Sequence, residues 1–134
     1  MIKSAEEFVS LRTSERQEDY LRAATDAAPM EVWLDIVKRF PDMRIWVAHN
    51  KTVPGEILVT LAHDPNADVR CAVAMKNKLP ADTMTILSDD SDESVRERIA
   101  YNKNTPREIL QALASDRCER ISTHARMRLE LDAS

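Results

Sequence analysis

The sequence predicts an all-α protein, a solenoid of about four two-helix repeats of 26 residues each behind an N-terminal helical cap. Prolines recur at equal spacing, at Pro54, Pro80 and Pro106, and the segments that they begin align without gaps. The apolar residues of each segment follow the 3.6-residue period of a helix and not the two-residue period of a strand. The 134 residues contain a single glycine, so phosphate-binding loops and tight hairpins, which need glycine, are excluded.

Residues 1–28 differ from the rest and are interpreted as the N-terminal helical cap. Ser4 with Glu7, and Ser14 with Gln17, predict two capping boxes, each opening a short amphipathic helix. The apolar faces of these helices are narrow, and the end units of a repeat array must present a polar outer face. We therefore expect residues 1–28 to cover the exposed end of the first repeat.

The array itself occupies residues 29–134, with repeats at 29–53, 54–79, 80–105 and 106–131. In each repeat, proline is predicted to open the first helix at its first residue, where the missing N–H costs nothing. The polar stretches at 64–68 and 89–94 are predicted to form turns and to cap the second helices. Helices of about ten residues are too short to be stable alone, so the pairs must stack on one another. Cap and array are expected to form one compact domain.

The repeats carry the pattern P-x-E-[IV]-L-x-x-L-A-x-D followed by V-R-x-x-[VI]-A-x-N, best over 54–131 and more loosely over 29–53. With this pattern the chain resembles the leucine-rich repeat variant and HEAT-like group of helical repeat proteins, and the resemblance implies a right-handed α–α superhelix. The period is shorter than the usual HEAT length and no LxxLxL strand motif is present, which favours the variant class. One branch of that class binds an iron–sulfur cluster through a cysteine-rich N-terminal segment. Residues 1–70 contain no cysteine, so we expect no cofactor.

Aspartate and arginine stand six residues apart in two of the repeats, as in the HEAT pattern. The resemblance implies that they form a ladder linking adjacent repeats, here called the Asp–Arg ladder, with members Asp64, Arg70, Asp90, Arg96 and Asp116. A buried guanidinium needs such a bidentate carboxylate to offset its lost hydration. The first repeat has Lys38 or Arg39 in place of the aspartate, and the fourth has Ser122 in place of the arginine. We therefore expect the ladder to fray at both ends.

The second helix of each repeat has one face that a helical wheel directs away from the core, which in HEAT-like solenoids lines the concave side. The residues at equivalent positions of this face differ in chemistry from one repeat to the next. In the fourth repeat they are Thr123, His124 and Met127. Its N-terminal half is apolar, as in a protein-binding site. Alternatively, the N-terminal helices or a dimer mate cover Ile45 and Trp46. The predicted partner-binding residues are Ile45, Trp46, His49, Cys71, Met75, Arg98 and Tyr101.

The leading functional hypothesis is a non-catalytic scaffold that binds a protein partner through this surface, with an immunity- or inhibitor-type partner as one variant. A nucleic-acid-binding HEAT-like protein is the second hypothesis, but a net charge of −4 without a basic stripe disfavours it. A purely structural or dimerisation module is the third. The chain is expected to be a monomer or a weak homodimer.

The remaining residue patterns argue against a metal site, a catalytic site and a membrane-spanning segment. Cys71 and Cys118 lie far apart without a CxxC motif, and the three histidines show no metal-ligand spacing, so no metal site is expected. His49 and Cys71 have no third group to orient them as base and nucleophile, so we do not expect an enzyme. No apolar run is long enough for a signal segment or a membrane span, and a cytoplasmic location is expected.

Overall fold

The computed structural model describes residues 1–133; Ser134, the last residue of the predicted array, lies outside them. Over this range the chain is all-helical, with ten α-helices, one short 3-10 helix at Pro41–Met43 and no strand, which confirms the all-α class. None of the helices described between residues 1 and 133 has the length and apolar character that crossing a bilayer requires. The α-helices are α1 Ala5–Thr13, α2 Gln17–Thr25, α3 Met30–Arg39, α4 Arg44–His49, α5 Gly55–Leu61, α6 Ala67–Ala74, α7 Ala81–Ser88, α8 Glu93–Tyr101, α9 Arg107–Leu113 and α10 Glu119–Ala133.

The periodic prolines precede the helices by one residue. Pro54, Pro80 and Pro106 are the N-caps of α5, α7 and α9, with extended ψ angles of 151°, 144° and 154°. The predicted placement of proline as the first helical residue is therefore wrong by one position. The physical role is similar, because the proline carbonyl already accepts the first helical hydrogen bonds, such as the 3.1 Å bond from the Ile57 N–H to Pro54.

Polar N-caps open the second helices where the turns predict them. The Asn66 side chain accepts the Asp68 N–H at 2.8 Å, and the Asp92 side chain accepts the Ser94 N–H at 2.8 Å. These bonds satisfy backbone donors that the first helical turn leaves without partners.

One of the two capping boxes predicted for residues 1–28 has its N-cap bond. The Ser4 hydroxyl accepts the Glu7 N–H at 3.0 Å, and the Glu7 carboxylate accepts the Lys3 N–H at 3.1 Å. The second box is wrong, because α2 begins at Gln17 with no side-chain cap. Ser14 instead ends α1 and donates from its hydroxyl to the Asp19 carboxylate at 2.7 Å.

The chain divides into two compact units, Met1–His63 and the residues from Asp64 onward. In the first unit, α1 packs on α2 and α3, while α4 contacts α2, α3 and α5. Its core is partly aromatic, since Phe8 and Trp33 meet edge to face with ring centroids 5.8 Å apart. Its other large side chains with almost no exposed surface are Ile2, Ile36, Val47, Ile57 and Leu61.

In the second unit, α8 packs on α6, α7 and α10, and α9 packs on α7 and α10. First helices therefore contact first helices, and second helices contact second helices. Among the largest buried side chains of this unit are Met84, Leu87, Ile99, Leu110 and Ile121, none of them aromatic. Thr83 on α7 is 1% exposed, and its hydroxyl has no hydrogen-bond partner. In the neighbouring 26-residue segments isoleucine occupies this position, as Ile57 and Ile109.

Candidate functional site

Two arginines of the Asp–Arg ladder form bidentate ion pairs in the second unit. Arg70 on α6 donates to Asp90 from Nε at 2.9 Å and from Nη2 at 3.2 Å. Arg96 on α8 donates to Asp116 at 2.9 and 3.3 Å. Each arginine therefore reaches the aspartate 20 residues further along the chain. The side chains of Arg96 and Asp116 are only 4% and 8% exposed, so this pair is shielded from water and salt.

The same residues organise the turns between helices. The third guanidinium nitrogen of Arg70 donates to the Asp64 carbonyl at 2.8 Å, and that of Arg96 donates to the Asp90 carbonyl at 2.8 Å. The Asp64 carboxylate accepts the Asn66 N–H at 2.9 Å. These contacts fix each turn in place, which assigns the ladder residues to the scaffold and not to ligand binding.

The pKa values of Arg96 and Asp116 reflect the hydrogen bonds and the burial of this ion pair. Hydrogen bonding to Asp116 raises the pKa of Arg96. Burial acts to raise the pKa of Asp116, but the bonds from Arg96 and from the Cys118 N–H outweigh it, so the pKa of this carboxyl lies below its ordinary value. Both groups are consequently charged in the folded protein at neutral pH.

At the predicted ends of the ladder, the residues make other contacts. Arg39 on α3 donates to Asp35 one turn earlier at 2.7 Å and also pairs with Glu6, all on the surface of the first unit. Lys38 is exposed. Ser122 is buried on α10 and donates to the Glu119 carbonyl at 3.2 Å.

A second set of polar contacts was missed by the sequence reasoning. In the second unit, the Asn102 amide donates to the Ala74 and Lys76 carbonyls at 2.9 Å each. The Arg128 guanidinium donates to the Ala100 and Asn102 carbonyls at 2.8 and 2.7 Å. Both side chains thereby satisfy carbonyls at the C-terminal end of the preceding second helix, which lack helical donors.

The 26-residue alignment holds the signal that would have found these contacts. Asn50, Lys76, Asn102 and Arg128 occupy one column, and every one of these side chains can donate hydrogen bonds. In the first unit, Asn50 donates to the Ala23 and Asp26 carbonyls at the end of α2, at 2.8 and 3.0 Å. For Lys76, the lysine of this column, burial lowers the pKa of the side-chain ammonium group.

Four predicted partner-binding residues lie in the second unit, on α6 and α8 or directly after α6: Cys71, Met75, Arg98 and Tyr101. Met75 is 51% exposed and Tyr101 56%, and Met127 on α10 continues their column at 54%. Met75, Arg98 and Tyr101 line one surface depression, while Tyr101 and Met127 line a second one with His124. Because Tyr101 borders both depressions, the three large apolar side chains form one continuous strip, here called the Met–Tyr–Met strip.

The strip has a stacked pair of rings at its centre and charged side chains at its edge. The Tyr101 ring stacks on the His124 ring with centroids 3.6 Å apart and planes 8° from parallel. Burial, and then the charge of Arg128, lowers the pKa of His124, so its imidazole is neutral in this stack at pH 7. Arg120, beside the stack, pairs with Glu97.

Cys71 and Arg98 are neighbours within the second unit. Burial raises the pKa of the Cys71 thiol, and the charge of Arg98 opposes this only in part. The thiol is therefore protonated at neutral pH. Arg98 itself is exposed and its guanidinium lies at the edge of the Met–Tyr–Met strip.

The other three predicted partner-binding residues lie on α4 of the first unit. Ile45 and Trp46 are half-buried and His49 is exposed. The Trp46 ring is covered on one face by the Arg12 guanidinium, whose central carbon lies 3.5 Å from the ring centroid. Arg12 belongs to α1, so an N-terminal helix does contact Trp46. Trp46 also lines a pocket of about 320 Å³ together with residues of α1 and α2.

Neither a metal-binding cluster in the described residues nor a known relative points to a function for this site. Within the part of the chain that the structure describes, no three His, Cys, Asp or Glu side chains come together as a metal ion would need. Both cysteines are free thiols. In comparisons with protein-family models, curated proteins and solved structures, the chain has no significant match.

Proposed function

We propose that the chain is a non-catalytic helical-repeat scaffold that binds a protein partner through its second helices. The 26-residue period and the contacts of like helices within each unit support a solenoid of the leucine-rich repeat variant or HEAT-like kind. In such an array the second helices have an outward face whose side chains the scaffold does not need for its stability. An immunity- or inhibitor-type partner is one form of this proposal.

The observation that supports the proposal best is the Met–Tyr–Met strip. Isolated exposed apolar residues are common, but three large ones from successive second helices bordering two adjoining depressions are typical of interaction sites. Methionine adapts its shape to a partner, and tyrosine contributes a large contact area at a small entropic cost. The charges at the edge, Arg98, Arg120 and Glu97, match the polar rim of a protein interface.

The chemistry of the nearby titratable groups favours binding over catalysis. Cys71 is the nucleophile candidate of this surface, and the raised pKa of its thiol is the opposite of what a reactive cysteine needs. His124, the histidine that lines this surface, has its ring stacked on Tyr101.

The test uses the triple variant Met75→Ser/Tyr101→Ser/Met127→Ser as bait beside the natural chain, with Ile86→Ser as the matched control. Ile86 is also an exposed apolar residue, 40% exposed, but it lies on the first helix α7. A partner that binds the natural chain and the Ile86→Ser variant equally should bind the triple variant at least about a hundredfold more weakly, since each of the three lost anchors costs roughly 1–2 kcal/mol. Circular dichroism checks that the triple variant is folded. Equal binding by the folded triple variant would contradict the proposal.

A further inference from the structure

The pocket in the first unit is built differently from the Met–Tyr–Met strip. It is a concave site of about 320 Å³, bordered by α1, α2 and α4. Its wall consists of aromatic and aliphatic side chains and two basic ones: Arg12, Tyr20, Leu21, Ala23, Ala24, Trp46 and His49. Small-molecule sites are of this kind, mostly apolar with a few placed polar groups, and their volumes begin near 300 Å³.

The charge at the pocket comes from Arg12. No carboxylate belongs to the lining. Over the described residues, the contacts of Arg12 are with aromatic rings, with Trp46 at 3.5 Å and Tyr20 at 6.0 Å, and no acidic side chain pairs with it. By contrast, Arg16 and Arg22 on the adjoining segment both have carboxylate partners.

The stacking of Arg12 on Trp46 leaves its donors available. A guanidinium that stacks uses its flat face, whereas its five N–H groups point outward in the plane of the group. Those N–H groups match the two oxygens of a carboxylate in a bidentate bond. The indole beneath holds the guanidinium in place, so little side-chain freedom would be lost when a carboxylate binds.

We propose that this pocket binds a small amphipathic carboxylate, with an aromatic or aliphatic body against Trp46 and Leu21 and its carboxylate on Arg12. At about 30 Å³ for a water molecule in the liquid, the volume equals that of roughly ten waters, which admits a small ligand such as a substituted acetate. A ligand of that size at ordinary efficiency binds in about the millimolar range. The proposal does not depend on the Met–Tyr–Met strip or on a protein partner.

The test is a titration with phenylacetate, followed by the indole N–H signals of the two tryptophans in ¹⁵N NMR spectra. The Trp46 signal, assigned with the Trp46→Phe variant, should shift saturably, while that of Trp33, which is buried against Phe8, should not. The neutral analogue 2-phenylacetamide should bind at least about tenfold more weakly. Both ligands are titrated into the natural chain, and the Trp46→Phe variant serves only to assign the signal.

Variants test whether the Arg12 guanidinium is the group that binds the carboxylate. Arg12→Gln should lose about tenfold or more in phenylacetate affinity, Arg12→Lys should fall between, and Arg16→Gln, which removes an exposed arginine outside the lining, should bind as the natural chain does. Any one of three results would overturn the proposal. They are equal affinity for phenylacetate and its amide, unchanged phenylacetate affinity in Arg12→Gln, and the absence of a saturable shift of the Trp46 signal. A peptide ending in phenylalanine that binds far more tightly than phenylacetate would overturn it in favour of a protein terminus as the ligand.

Discussion

In the first unit the largest buried side chains include Trp33 and Phe8, and the ion pairs of Arg39 lie on the surface; in the second unit the largest buried side chains are not aromatic, and the Arg70–Asp90 and Arg96–Asp116 pairs are shielded. Buried amides bond carbonyls in both units, through Asn50 in the first and Asn102 in the second. The first unit therefore depends for its stability largely on apolar contacts, which are indifferent to direction. The second depends also on shielded guanidinium–carboxylate bonds that are satisfied in only one arrangement of the helices. The same helix-pair pattern can thus be held together by two kinds of interaction, and substitutions separate them.

The largest effect is expected from Arg96→Met. It leaves the Asp116 carboxylate buried without its partner, which should lower the free energy of unfolding by about 3–5 kcal/mol. Native-state hydrogen exchange should locate the loss in α8 and α10 while the amides of α1–α4 stay protected.

The double variant Arg96→Met/Asp116→Leu serves as the control for this substitution. It should recover part of the lost stability, because no unpaired charge stays buried. A loss below 1 kcal/mol in the single variant would show that the second unit does not depend on its shielded ion pair.

The same ion pair predicts a pH dependence. The pKa of Asp116 is lower in the folded chain than in the unfolded chain, where it is near 3.9. The unfolded state therefore binds more protons in this range, so the contribution of Asp116 is complete above about pH 4 and is lost as the pH falls through the folded pKa. Unfolding by denaturant at a series of pH values measures it. In Asp116→Asn this part of the acid sensitivity should be absent, and an unaltered acid profile would assign it to other carboxyls.

A smaller loss is expected from Asn102→Ala in the second unit. The substitution leaves the Ala74 and Lys76 carbonyls without a side-chain donor, and a loss of about 2 kcal/mol is expected. Asn104→Ala is the matched control, since Asn104 is exposed and its amide bonds only the Asn77 carbonyl. Denaturant unfolding of both variants compares them, and equal losses would mean that burial of the amide does not matter.

Thr83→Val should stabilise the second unit. Valine has nearly the shape of threonine, and the change removes a buried hydroxyl that has no hydrogen-bond partner. A gain of about 1 kcal/mol in the free energy of unfolding is expected. A loss of stability on thermal or denaturant unfolding would show that the hydroxyl is satisfied in solution.

The smallest effect is expected from Arg39→Met in the first unit. Its partners Asp35 and Glu6 are exposed, so water screens these pairs and the free energy of unfolding should hardly change. The effect should also shrink in high salt, whereas that of Arg96→Met should not. A loss as large as that of Arg96→Met would remove the distinction between the two units.

The sequence predicts the helices well because proline and polar caps act locally. Pro54, Pro80 and Pro106 mark helix starts to within one residue, since their fixed φ and missing N–H restrict only the adjacent backbone. The failed capping box at Ser14 shows the limit of this reasoning. Its hydroxyl oxygen accepts the Arg16 N–H in place of the Gln17 N–H and donates its proton to Asp19, which the spacing of Ser14 and Gln17 does not reveal.

The candidate site depends on contacts between helices, and these are harder to read from one chain. The wheel placed Met75 and Tyr101 outward, and both are exposed, because the side of a helix follows from its own period. The covering of Trp46 by Arg12 joins residues 34 positions apart, one in the predicted first repeat and one in the N-terminal cap outside the periodic array. Neither spacing nor composition specifies which side chain stacks on which ring.

The amide and guanidinium bonds of the second unit join residues 20 to 28 positions apart, close to a single period. Such a unit has a low contact order, so its folding requires the closure of short loops and no search for distant segments. During synthesis each new helix pair can dock as soon as it leaves the ribosome, because its hydrogen-bonding partners were made just before it. Rapid folding from the N-terminal end is thus a consequence of where these side chains reach.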